Sequence, residues 1–92
     1  MQARWLRKAL RNLEQAHDYI AKDDPEAAIR TALKIQVAVE QLVQFPLMGR
    51  VGRVKGTREL VIANTPYFVV YRLKDNTVEI LRVLHTSRRY PD

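Results

Sequence analysis

The hydrophobic pattern changes period once along these 92 residues, and the change falls at Pro46. Before it, apolar residues recur at three and four; after it, they alternate. A chain written this way specifies helices first and strands second, an α+β arrangement. From Leu6 the series Leu6, Leu10, Leu13, Ala16 or His17, and Ile20 marks one helical face, opposite Arg7, Lys8, Arg11, Glu14 and Asp18. Gln2–Trp5 precedes it as a possible short strand, with Trp5 as a core anchor. The first helix is expected to stop near Lys22. Asp24 suits an N-cap, since its carboxylate can accept the free amides of a helix start. Pro25 suits the first turn, where no amide donor is needed, and Glu26 suits the positive end of the dipole. The second helix is predicted to run to about Phe45 on the stripe Ala28, Ala32, Ile35, Val39 and Leu42, widened by Ile29, Val43 and Phe45. Two such helices with a short joint form an antiparallel hairpin.

Residues 46–57 read as a loop holding all three glycines, Gly49, Gly52 and Gly56, interleaved with Arg50, Arg53 and Lys55. No Walker A pattern is present. Strands are predicted at Arg58–Ala63, Tyr67–Leu73 and Val78–His85, with a turn at Asn64-Thr65-Pro66 and a tight hairpin at Asp75-Asn76. A three-residue first turn and a two-residue second turn set the register. One face then holds Leu60, Ile62, Phe68, Val70, Leu81 and Val83, with Arg58, Arg72, Glu79 and His85 toward its ends. The other holds Val61, Tyr67, Val69, Ile80 and Leu84, interrupted by Glu59, Tyr71 and Arg82. The first is more continuously apolar and is expected to lie under the helices. Glu59, Tyr71 and Arg82 are expected to cluster on the open face, with Glu59 paired to Arg82.

Composition narrows the chemistry. There are no cysteines, which excludes a disulfide scaffold and a thiolate site. The two histidines, His17 and His85, are far apart, and no metal or cofactor is expected. No apolar run approaches the ~20 residues of a membrane span, so no membrane partner and a cytoplasmic location are expected. The whole chain, 1–92, reads as one domain. Residues 1–48 carry a net charge of +1 and residues 49–92 a net charge of +5. A basic half of this kind favours polyanionic partners. The candidates for phosphate or target binding are Arg50, Arg53, Lys55, Arg58, Arg82, Arg88 and Arg89. His85 and Tyr90 can move protons, and with Arg82 they form the set that RNA cleavage would need: a base for the 2′-hydroxyl and a cation for the phosphate. Tyr67, Phe68 and Tyr71 suit either base stacking or a core.

In order and spacing the chain resembles the RelE/ParE family of bacterial toxins. The residues that carry the likeness are W-x3-A-x3-L (Trp5 to Leu13), D-Y-I-A-x-D-x-P-E-A-A (Asp18 to Ala28) and L-x-x-F-P-x-M-G-R (Leu42 to Arg50). They continue with G-T-R-E-L (Gly56 to Leu60), T-P-Y-x-V-x-Y-R (Thr65 to Arg72) and V-E-I-L-R-V-L-H-x-x-R-R-Y-P (Val78 to Pro91). The resemblance implies a helical hairpin on a three- to four-stranded antiparallel sheet. It also implies a toxin that an antitoxin neutralises, with a role in plasmid stabilization. Two activities occur in the family: poisoning of DNA gyrase, and cleavage of mRNA on the ribosome. The V-L-H-x-x-R-R ending is more similar to the gyrase-directed members. Catalytic roles for His85, Tyr90 and Arg82 apply only to the ribonuclease alternative.

Overall fold

A computed structural model describes residues 1–91 of the chain; Asp92, the last residue of the basic tail, lies outside them. The order of elements is β1 (Gln2–Trp5), α1 (Arg7–Ala21), α2 (Pro25–Gln44), β2 (Arg50–Val51), β3 (Arg58–Val61), β4 (Tyr67–Lys74) and β5 (Thr77–His85). The five strands form one sheet in the order β1-β5-β4-β3-β2. This corrects the expected three to four antiparallel strands: β1 joins parallel to β5, and β2 forms inside the predicted loop. No helix is long and apolar enough to cross a membrane.

The joint between the helices follows the sequence rules. The Asp24 carboxylate accepts the Ala27 amide at 3.1 Å, and Pro25 opens α2. The stripe of α2 is buried as read at Ala28, Ile35, Val39 and Leu42, but Ile29 and Phe45 face solvent. On α1 the buried line is Ala9, Asn12 and Ala16, and Leu10 is exposed. Asn12 replaces an apolar residue there for a reason. Its Oδ1 accepts the Val83 amide at 3.2 Å and Arg82 Nε at 2.9 Å. β1 pairs with β5 only from Thr77 to Ile80, so beyond that point the side chain of α1 satisfies the strand edge.

The two faces of the sheet differ from the expected ones in a regular way. Ile62 donates to the Tyr67 carbonyl, so the turn between these two facing residues holds four residues, not three. Asn64 turns this loop with φ 61°. The extra residue inverts all of β4: Tyr67, Val69 and Tyr71 face the helices, and Phe68 and Val70 face outward. Asp75 and Asn76 both adopt positive φ, and Arg72 pairs with Glu79 as predicted. The inversion therefore carries into β5, placing Val78 and Ile80 under the helices. The register then shifts at Val70/Tyr71, where Leu81 is the extra residue, and the bulge restores the predicted face for Val83 and Leu84.

Tyr71 locks the α2–β2 connection. Its hydroxyl donates to the Pro46 carbonyl at 2.8 Å and accepts the Gly49 amide at 2.9 Å. A Cβ at Gly49 would lie 2.6 Å from that hydroxyl, so the close approach requires glycine. Burial raises the Tyr71 pKa above its ordinary value, against the smaller opposing pull of the Gly49 amide and Arg58.

Candidate functional site

The predicted Glu59–Arg82 pair does not form. The register puts Glu59, Val70 and Arg82 in one lateral row, with the whole of β4 between the two charged residues. Arg82 turns over the strand edge to Asn12. Tyr71, the third member of the expected cluster, lies on the helix side. Glu59, with its side chain only 1% exposed, is held instead by the preceding loop. Arg53 Nη2 donates to it at 2.8 Å, the Arg53 amide donates at 2.8 Å, and Arg50 Nη2 donates at 3.3 Å. The Arg53 hydrogen bonds outweigh burial and draw the Glu59 carboxyl down to about 2. The same contact raises Arg53 above its ordinary value.

Arg53 also organises the tail. Its guanidinium lies 5.1 Å from the centre of the Phe68 ring and 5.2 Å from that of Tyr90, and it donates to the Tyr90 carbonyl at 3.3 Å. Tyr90 meets Phe68 edge-on and covers the outward cluster of Phe68, Val70 and Leu84. The open face is thus a small second core closed by one arginine and one tyrosine.

Arg50 and Arg53 bind Glu59, Arg58 donates to the Gly49 carbonyl at 2.8 Å, and Arg82 binds Asn12. Lys55, Arg88 and Arg89 are exposed. His85 and Tyr90 are not brought together. His85 packs edge-on against Tyr67, 5.3 Å between ring centres, on the helix side; Tyr90 lies on the outward side. A backbone N–H can only donate, and the Ser87 amide points at His85 Nδ1 at 3.0 Å. Nδ1 is therefore an acceptor, and in the neutral ring the proton is on Nε2. Tyr67, Phe68 and Tyr71 are buried core residues, not a stacking platform.

Sequence reasoning missed one further surface. Ile29, Leu33 and Val37 recur at intervals of four on α2 and are 54%, 53% and 52% exposed. They form an apolar ridge, and Leu33, Val37 and Ile62 line a shallow groove of about 330 Å³ beside it. The signal was present: α2 is apolar on two sides, more than one core face needs.

Comparison with known proteins agrees with this architecture. Residues 3–90 match the family model described as the ParE toxin of the type II toxin-antitoxin system parDE. Y4kP of Sinorhizobium fredii is 48% identical over 88 residues, covering 96% of this chain and 91% of that protein. Toxin RelE2 of Caulobacter vibrioides is 37% identical over 84 residues, covering 91% and 93%. Among solved structures, the chromosomal ParDE system of P. aeruginosa superposes with a TM-score of 0.85 at 30% identity, covering 92% of this chain and 95% of that one. The RelBE2 toxin–antitoxin complex of Mycobacterium tuberculosis superposes with a TM-score of 0.62 at 29% identity, covering 91% and 95%. With its helical hairpin, its sheet and nearly its full length matched, this chain belongs to the ParE toxin family of type II toxin–antitoxin systems.

Proposed function

We propose that this toxin arrests growth by binding and poisoning DNA gyrase in the cytoplasm, as one domain, rather than by cutting mRNA. The observation that carries this reading is the state of the open face. Phosphoryl-transfer chemistry on RNA needs cations free to gather around the phosphate and a base aimed at the 2′-hydroxyl. Here Arg50 and Arg53 are bound to a buried carboxylate, and His85 and Tyr90 lie on opposite faces of the sheet. The likeness to the ParDE system at a TM-score of 0.85, against 0.62 for RelBE2, supports the same reading.

The toxin has a cognate antitoxin as partner. The ridge of Ile29, Leu33 and Val37 is where an amphipathic segment would lie, and the net charge of +6 favours an acidic one. The target is tested by induction in cells. Gyrase poisoning predicts DNA-damage signalling and gyrase-linked DNA breaks without new mRNA ends. His85→Gln and Tyr90→Phe should keep the arrest, whereas removing charge at Lys55, Arg88 and Arg89 should weaken it. Fresh mRNA cuts that vanish in His85→Gln or Tyr90→Phe, with folding and antitoxin binding intact, would move the toxin to the ribonuclease branch.

A further inference from the structure

β1 covers β5 only from Thr77 to Ile80, and the Leu6 amide ends the pairing on the Ile80 carbonyl at 3.0 Å. Past that point a cleft of about 340 Å³ opens between α1 and the end of β5, lined by Asn12, Gln15, Tyr19, Tyr67, Val83 and His85 among others. Tyr67 turns its own backbone away from β5: its amide donates to Thr65 Oγ1 and its carbonyl accepts the Ile62 amide. Tyr67 and His85 therefore face each other as a non-hydrogen-bonded pair, as do Val69 and Val83, and the amides and carbonyls of Val83 and His85 point away from β4, toward the cleft. Two of those four groups are taken. Asn12 Oδ1 accepts the Val83 amide at 3.2 Å, and the His85 carbonyl accepts the Arg88 amide at 2.9 Å. The Val83 carbonyl and the His85 amide meet no partner among the described residues.

We propose that these two backbone groups clasp one residue of an extended antitoxin segment, which runs parallel to β5 and continues the line of β1. The inference rests on the toxin–antitoxin assignment but not on the choice of target. Direction follows from which groups are open. An antiparallel neighbour bonds the amide and the carbonyl of one residue, and neither Val83 nor His85 has both to give. A parallel neighbour donates to the carbonyl of one residue and accepts from the amide two residues on, which is the pair left open. Asn12 extends the ladder. Two donors hold its Oδ1, so its NH2 turns to the cleft and offers the segment's preceding carbonyl the donor that the Val83 amide no longer supplies. Opposite Leu84, the clasped residue points its side chain to the open face, and its two neighbours point theirs into the cleft, against Ala16, Tyr19 and Tyr67. A second copy of the toxin would bring another net charge of +6 to this edge, whereas an acidic segment is drawn to it.

The test is NMR of the free toxin and of the purified toxin–antitoxin complex, reading amide hydrogen exchange and through-hydrogen-bond couplings. In the free toxin the His85 amide should exchange fast while those of Val83 and Leu84 are protected. In the complex, exchange at His85 should slow at least about a hundredfold. One antitoxin residue should give both couplings, its carbonyl to the His85 amide and its amide to the Val83 carbonyl. Gln15→Trp, at the exposed rim of the cleft, should weaken antitoxin binding at least about tenfold with no loss of melting temperature. A His85 amide that stays unprotected in a formed complex would overturn the clasp. Couplings to two different antitoxin residues would overturn the parallel direction. Protection of His85 that rises with the concentration of free toxin would overturn the antitoxin as occupant in favour of a second copy. The absence of any complex would instead fail the assignment on which the inference rests, a separate result. Neither gyrase nor toxicity enters the experiment, so its failure is distinct from a failure of the proposed target.

Discussion

Glu59→Gln isolates the charge at the centre of the open face. The wild-type carboxyl falls from 4.5 to about 2 on folding. At about 1.4 kcal/mol per tenfold change in proton affinity, that shift corresponds to about 3 kcal/mol. Arg53 is 44% and Arg50 67% exposed, so solvent screens part of the attraction, and about 2 kcal/mol is the figure to test. The sign follows from the depressed value: the stabilisation is complete above the unfolded pKa and is lost as pH falls through the folded one. Wild-type stability should therefore decline by about 2 kcal/mol more than that of Glu59→Gln between about pH 5 and pH 2. At neutral pH the variant should be less stable by a similar amount, because the amide still accepts the Arg53 N–H but carries no charge. Urea unfolding at a series of pH values measures both. Parallel stability curves for the two proteins across the acid range would refute the argument.

Tyr71→Phe leaves the Gly49 amide and the Pro46 carbonyl without their buried partner, and should cost about 1–3 kcal/mol, read as a fall in melting temperature. Asn12→Ala frees the Val83 amide at the open edge of β5; it should cost a similar ~1–3 kcal/mol and speed hydrogen exchange at Val83 more than at Val78. Leu33→Asp should leave the melting temperature nearly unchanged, since the side chain is half exposed. It should weaken antitoxin binding at least about tenfold, measured by calorimetry, if the ridge on α2 is the docking surface.

The helical half was legible because its signals are local. Asp24 and Pro25 mark a helix start by chemistry that needs no other part of the chain, and the register of Arg72 with Glu79 follows from a two-residue turn. The sheet faces were not legible, because side-chain direction depends on an exact count. One extra residue between Ile62 and Tyr67 reversed β4, and the bulge at Leu81 reversed β5 back again. Both faces of the sheet are apolar, so the pattern itself could not expose the slip. The site suffered from the same cause at longer range. Arg50, Arg53, Glu59 and Tyr90 were all visible as charged or aromatic residues, but what brings them together is β2, two residues long in a glycine-rich stretch. A strand so short has no periodicity to read. Asn12 was hidden by a different effect. A lone polar residue on a helix looks like surface until the strand edge that it serves is known.

The place of β5 in the sheet has a consequence for the order of events during synthesis. The strand made last is not added at a margin; it is inserted between β1, the strand made first, and β4. The helical hairpin can form from neighbouring residues, and β4 can turn back on β3, while β1 waits without a partner. Closing Gln2 onto Thr77 spans nearly the whole chain and joins the two halves in a single step. Until then the apolar sides of α1 and β4 that meet β5 stay open to water.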